Sequence, residues 1–94
     1  MVSAKEIGKK IEPILKSAGA SRAAIFGSYA RGEQNAESDV DILIEPPNGM
    51  SLMDLAHLQI LLQEVTGTKV DIVTYNSLHH LIRPYVMKDA IEIF

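Results

Sequence analysis

The stretch GSYARGEQNAESDVD (residues 27–41) joins two unlike features. It opens with Gly27 and Ser28, which follow a short apolar run, and glycine at such a place allows a tight turn at the end of a strand. Ten residues separate the serine from Asp39, and Asp39 and Asp41 lie in a segment whose apolar residues alternate as in a strand. Period-two geometry puts both carboxylates on one face, about 7 Å apart along the strand. The stretch therefore predicts a polar turn beside a strand that carries two acidic side chains.

Capping residues and apolar periodicity predict two longer helices outside this stretch. The first begins at Ser3 and ends at Gly19. Pro13 lies inside it and is expected to kink the helix or to split it in two. The second begins at Ser51 and ends at Gly67. Its predicted buried stripe comprises Leu55, Leu58, Leu61, Leu62 and Val65.

The remaining pattern predicts a small sheet. Four segments have the composition of strands, at 23–26, 39–45, 69–75 and 91–94. A short helix is predicted from Ser77 to Ile82, with a further helical turn after Pro84. The order αβ(turn)βαβαβ describes an α/β (α+β) fold, a small mixed sheet flanked by helices. With 94 residues and no linker, residues 1–94 are predicted to form a single domain.

Composition excludes several classes of function. The net charge is −3, which argues against direct nucleic-acid binding, because phosphate neutralisation by basic residues supplies the affinity there. Cysteine is absent, so there is no disulfide, no thiolate nucleophile and no sulfur-ligated metal. The N-terminus lacks the apolar stretch of a signal peptide and no segment approaches membrane-spanning length. A cytoplasmic protein without membrane contact is therefore predicted.

A third aspartate suggests a metal site. Asp71 lies between apolar neighbours in the predicted strand 69–75, and it would join Asp39 and Asp41 if that strand paired beside theirs. Hard oxygen ligands suit Mg²⁺ or Mn²⁺, and three aspartates can hold two metal ions about 3.5–4 Å apart for displacement at phosphorus. The alternative is that the two earlier aspartates form the solvated outer face of an edge strand.

The turn can serve as the other half of the same site. Gly27 allows the backbone to approach an anion closely, Ser28 offers a hydroxyl and an amide, and Arg31 can neutralise phosphate charge. The spacing is not that of a Walker A loop. The pair taken alone also fits an ordinary turn. Together with the aspartates, it predicts a site for a metal–triphosphate complex.

At this point the sequence resembles a known family. A Gly-Ser pair, ten residues and then D-x-D are typical of the DNA polymerase β-like nucleotidyltransferase superfamily. The strings GSYARG, SDVDILIE and KVDIVTY resemble its minimal bacterial and archaeal members over nearly the whole chain. The resemblance implies that Asp39, Asp41 and Asp71 bind two Mg²⁺ ions (Mn²⁺ being possible) and that Asp71 helps to deprotonate the attacking hydroxyl. It further implies that Gly27 and Ser28 hold the β- and γ-phosphates of ATP, assisted by Arg31.

The resemblance also implies a partner. Such proteins are similar to the antitoxins of two-gene modules whose toxin is a HEPN-domain ribonuclease, and they transfer AMP from ATP to a toxin tyrosine with release of pyrophosphate. A hetero-oligomer with that toxin is expected. Independently, a chain of this length has no room for an acceptor-binding domain, which favours a protein acceptor. Two alternatives stay open: a non-catalytic module that masks its partner, and a sugar- or drug-modifying transferase.

Overall fold

The computed structural model describes residues 2–94. Their helices are α1 (Ala4–Ser17), α2 (Gly27–Arg31), α3 (Leu52–Thr66) and α4 (Arg83–Asp89), with a 3₁₀ turn at Tyr75–Ser77. Their strands are β1 (Arg22–Phe26), β2 (Val40–Glu45), β3 (Val70–Thr74) and β4 (Ile91–Glu92). This order confirms the predicted αβ(turn)βαβαβ architecture.

The four strands form one mixed sheet in the order β3-β2-β1-β4. Strand β1 is antiparallel to both β2 and β4, whereas β2 and β3 are parallel and are connected through α3. A parallel pair needs such a crossover, and helix α3 provides it. The register places Phe26 opposite Asp41 and, on the other side of β2, places Asp41 opposite Asp71. The end of β1 therefore lies beside the strand that carries the first two aspartates.

Hydrophobic side chains cover both faces of the sheet. Helices α1 and α3 pack on one face, where α1 contributes Ile7, Ile11 and Leu15 and the central strand β2 contributes Ile42 and Ile44. The other face carries a smaller cluster that the 3₁₀ turn and α4 help to cover. Its buried members are Ala24, Leu43 and Tyr75, and Val86 and Met87 pack against them. Asp41 of β2 projects on this second face, since it lies between Val40 and Ile42, which belong to the core under α1 and α3.

The structure differs from the sequence prediction in three details. Of the two outcomes predicted for Pro13, a kink or a split, the split does not occur: α1 is one continuous helix, and Ile11 and Leu15 on either side of Pro13 are both fully buried. Their packing outweighs the roughly 3 kcal/mol that an interior proline costs. In α3, Leu58 and Leu62 are buried as predicted, but the predicted Leu61 and Val65 are exposed.

The third error concerns the segment before α4. Instead of a helix from residue 77 to 82, the chain makes the 3₁₀ turn at Tyr75–Ser77 and a non-helical connection. Helix α4 begins only at Arg83, with Pro84 in its first turn. Proline is favoured there because a first-turn N–H has no intrahelical partner in any case. The final strand is confirmed, although β4 has two residues rather than four.

The helices within residues 2–94 are all too short or too polar to cross a membrane.

Candidate active site

The Gly-Ser pair lies where β1 passes directly into α2. Gly27 is the first residue of α2 and has φ +73°, a left-handed conformation that glycine adopts without strain. A Cβ at this position would overlap Oδ2 of Asp41 and would lie 3.2 Å from its Cγ. Glycine is therefore required both by the backbone conformation and by the close approach of the carboxylate. The turn and the first acidic strand are in direct contact.

One side of helix α2 is packed in the core, and the other side is exposed. Tyr29 is buried in the core on the α1 and α3 face, whereas Ser28 is half-buried and Arg31 is exposed. Ser28 lies in the first turn of α2, where a backbone N–H has no intrahelical partner. The pair Gly27 and Ser28 thus presents backbone and hydroxyl groups next to Asp41.

The two acidic strands lie side by side. Asp41 and Asp71 occupy matching positions in the parallel pair β2 and β3, and neighbouring strands lie about 4.7–4.9 Å apart. Asp39 precedes Asp41 by two residues and lies just before the first residue of β2. All three side chains are partly exposed. The structure therefore places Asp41 and Asp71 side by side on neighbouring strands, with Asp39 just before β2.

The electrostatics of this cluster centre on Asp41. Burial raises the pKa of the Asp41 carboxyl, and the charges of Asp71 and Asp39 raise it further, while Arg31 lowers it. Neighbouring carboxylates that ionise together repel one another, and a cation between them relieves that repulsion. The pKa of Asp41 thus responds to the charges of Asp39, Asp71 and Arg31.

The three carboxylates fit a divalent metal ion whose coordination is completed by atoms of the substrate. Within residues 2–94, no three His, Cys, Asp or Glu side chains stand close enough to form a ready-made metal site. Mg²⁺ is usually bound by one or two carboxylates together with substrate phosphates and water rather than by an all-protein cage. Asp41 with Asp71, and Asp39 beside them, match this open arrangement.

Sequence reasoning missed two charged residues that contact the site. Lys69 Nζ lies 3.8 Å from Oδ2 of Asp39, because Lys69 stands next to Asp39 at the start of the parallel pair. Glu33 Oε1 accepts a hydrogen bond from Nε of Arg31 at 2.8 Å. The contact of Lys69 with Asp39 depends on how two distant segments meet in space. Arg31 and Glu33 are only two positions apart, so the order RGE was an available indication of their contact.

The best-formed cavities lie away from the aspartates. Their volumes range from about 210 to about 550 Å³. They are lined by α1, α3 and the neighbouring loops or β4, and none includes Asp39, Asp41 or Asp71. The carboxylates therefore face open surface rather than any of these pockets.

Comparison with known proteins identifies the family. The family model described as the nucleotidyltransferase domain matches residues 9–93. The chain belongs to this family. The match includes the Gly-Ser turn and all three aspartates. It confirms the membership that the Gly-Ser and D-x-D motifs predicted.

Two relatives are similar over most of their length. A Methanocaldococcus jannaschii protein, provisionally named a protein adenylyltransferase, is 50% identical over 88 residues, which are 94% of this chain and 95% of the relative. The protein adenylyltransferase MntA of Thermococcus cleftensis is 35% identical over 75 residues, which are 80% of this chain and 76% of the relative.

Solved structures share the fold. A protein described as a minimal nucleotidyltransferase has a TM-score of 0.79 at 36% identity, covering 89% of this chain and 86% of its own. A toxin–antitoxin structure with AMP-PNP has a TM-score of 0.82 at 22% identity, with 93% and 72% covered. A complex of a tri-AMPylated Shewanella oneidensis HEPN toxin with an MNT antitoxin has a TM-score of 0.73 at 19% identity, with 94% and 69% covered.

Proposed function

We propose that this nucleotidyltransferase is an antitoxin that transfers AMP from ATP to a tyrosine hydroxyl on a HEPN-type toxin. The observation that carries the proposal is the contact between two parts of the site: Gly27 lies against the carboxylate of Asp41, and Asp41 lies opposite Asp71. The turn proposed to hold phosphates and the carboxylates proposed to bind metal ions thus form one site. The relatives named as protein adenylyltransferases support the same reaction.

In this proposal the phosphates of ATP lie along the start of α2. The missing Cβ of Gly27 makes room for the carboxylate of Asp41, and the backbone at Gly27 together with the amide and hydroxyl of Ser28 holds the β- and γ-phosphates. Arg31 supplies positive charge once it leaves Glu33. The AMP-PNP in the toxin–antitoxin neighbour supports ATP as the nucleotide.

Asp39, Asp41 and Asp71 are proposed to hold two Mg²⁺ ions, or Mn²⁺, with the phosphates completing the ligand set. Metal ions bound there would polarise the α-phosphate and neutralise the charge of the departing pyrophosphate. Asp71 lies at the edge of the sheet, so that an acceptor can approach it, and we assign it the proton of the attacking hydroxyl. The acceptor oxygen forms a bond to the α-phosphorus as the bond to the β-phosphate oxygen breaks.

The acceptor is proposed to be a protein because the site is open. None of the five cavities described above is lined by the three aspartates, so none of these five offers a small-molecule acceptor such as a sugar or drug a pocket formed by the carboxylates. The Shewanella oneidensis neighbour is an MNT antitoxin bound to a tri-AMPylated HEPN toxin. That assembly supports a HEPN-type partner and a hetero-oligomer. Both proteins would act in the cytoplasm, where ATP is available.

The direct test is transfer of label from ATP. Purified chain, Mg²⁺ and the HEPN-domain proteins of the same genome are incubated with ATP labelled at the α-phosphate, and label on the protein is measured. We expect label from α-labelled but not from γ-labelled ATP, because AMP rather than phosphate is transferred. Asp41→Asn should lower the rate by more than about 10²-fold, because metal-assisted charge stabilisation contributes several kcal/mol. Glu64→Gln, on the exposed surface of α3, is the matched control and should leave the rate unchanged.

A double variant of the aspartates distinguishes AMP transfer from simple masking of the toxin. Exposed apolar residues such as Leu81 and Tyr85 give the chain surface that could bind a partner without any chemistry. If the double variant Asp39→Asn with Asp41→Asn neutralises the toxin as well as the wild type does, the chain acts by masking. If neutralisation is lost together with label transfer, it acts by AMP transfer.

A further inference from the structure

Strand β3 is an edge of the sheet, and its outward backbone groups can be assigned. The N–H of Val40 donates to the carbonyl of Lys69 at 2.8 Å, so residues 69, 71 and 73 direct their backbone groups toward β2. The N–H of Val70 points the other way and donates to Oε1 of Gln63 at 3.1 Å. By the same alternation, Ile72 and Thr74 direct their N–H groups away from the sheet.

These outward groups have no strand beside them. Among residues 2–94, β3 pairs with β2 alone, and outside the β2–β3 ladder no hydrogen bond in that part of the chain uses the N–H of Ile72 or Thr74. The carbonyls of Val70 and Ile72 point outward with them. Two N–H groups and two carbonyl groups thus remain available along the outer edge of β3, with the spacing at which a neighbouring strand would pair. Water can solvate these groups singly, but an extended peptide backbone has the donor and acceptor spacing that pairs with all four together.

The same strand carries the site's third carboxylate. Asp71 projects on the face it shares with Asp41, while Ile72 packs toward the core of α1 and α3. A residue opposite Asp71 on an added strand would project on that face too, about 4.7–4.9 Å from β3 and twice as far from β2. A long side chain at this position can lean over the three aspartates.

We propose that the acceptor is an extended segment of the partner protein that pairs with the outer edge of β3 and presents its hydroxyl side chain beside Asp71. The inference rests on the proposed AMP transfer and adds how the acceptor is bound. Strand addition of this kind obtains affinity from backbone hydrogen bonds and specificity from alternate side chains. The opposite edge is unsuitable because β4 has two residues and is separated from β3 by two strands.

Amide hydrogen exchange tests the geometry without any turnover. It is measured residue by residue on the chain alone and in complex with the HEPN-domain protein that accepts AMP. We expect the amides of Ile72 and Thr74 to exchange at least roughly tenfold more slowly in the complex, since each gains a backbone partner. The amides of Val70, Asp71 and Val73 are internal controls, because each already has a hydrogen-bond partner. Unchanged exchange at Ile72 and Thr74 in a saturated complex would overturn the proposal.

A pair of variants at one position tests the role of the N–H. Thr74→Pro removes the outward N–H, and the backbone tolerates it because φ of Thr74 is −84° and Val73 before it is extended. Thr74→Val retains the N–H and is the matched control. We expect Thr74→Pro to raise the KM for the partner at least roughly fivefold over Thr74→Val, because one hydrogen bond is lost and the ring obstructs pairing. The affinity for ATP should be equal in the two variants.

The outcomes separate this inference from the proposed function. No transfer by the wild type to any HEPN-domain protein counts against AMP transfer itself. Transfer by the wild type with equal KM for the Pro and Val variants overturns strand addition alone. If Thr74→Pro does not fold, amide exchange on the wild type decides the question.

Discussion

Replacing Gly27 by alanine tests the contact between the phosphate turn and Asp41. The substitution has two separable costs. Alanine at φ +73° costs about 1–2 kcal/mol of stability, because its Cβ crowds the backbone in the left-handed region. In addition, the new Cβ overlaps Oδ2 of Asp41 and lies 3.4 Å from the Cβ of that residue, so the carboxylate must move. A displacement of about 1 Å at reacting groups costs on the order of 10²-fold in rate.

Gly67→Ala is the matched control. Gly67 ends α3 at φ +70°, and nothing lies within 4 Å of a Cβ built there. Both variants should lose the stability that the left-handed backbone costs alanine, each kcal/mol lowering Tm by about 4–8 °C in a domain of this size, and Gly27→Ala should lose more because it displaces Asp41. Only Gly27→Ala should lower kcat/KM for AMP transfer, by roughly 10²-fold at a temperature where both variants are folded. Equal activity of the two alanine variants would refute the claim that Gly27 is needed to position Asp41.

Three further perturbations follow from the charges and the core. Asp41→Asn should raise Tm at pH 7 while abolishing transfer. The folded-state pKa of Asp41 is raised, so its ionisation opposes folding at neutral pH, and the gain should disappear in melts below about pH 3.9, where the carboxyl is protonated in both states. Glu33→Gln should lower the KM for ATP a few-fold by releasing Arg31, and an unchanged KM would show that Arg31 does not contact the phosphates. Leu62→Ala should cost about 2–5 kcal/mol in denaturant unfolding, whereas Leu61→Ala should cost less than about 0.5 kcal/mol.

The order of helices and strands along the chain was largely predictable because the local patterns agree with one another. The alternation around Asp39 and Asp41, the cap at Ser51 and the glycine at Gly67 each indicate the element that forms there. The sequence did not establish that β3 pairs with β2; it predicted only that Asp71 would join Asp39 and Asp41 if the two strands paired. A helix between two strands favours a parallel pair, but its exact register, which sets Asp71 against Asp41, comes from the packed sheet.

The errors arose where a pattern fits two structures. Two apolar rows run along α3, and Leu58 with Leu62 is buried while Leu61 with Val65 is exposed. Periodicity marks both rows as apolar and does not say which one faces the sheet. The contact of Lys69 with Asp39 was similarly hidden, because the two residues are 30 positions apart in the chain and meet only through the strand register. Charge pairs of this kind can be identified only from the tertiary structure.

Diffraction from crystals grown with AMP-PNP and Mn²⁺ tests the central claim most directly, since anomalous scattering locates Mn²⁺ independently of the protein. The account predicts Mn²⁺ bound to carboxylate oxygens of Asp39, Asp41 and Asp71, with the outer phosphates of the nucleotide on the backbone at Gly27 and Ser28. Mn²⁺ bound without Asp71, or a nucleotide whose phosphates lie away from that turn, would contradict it.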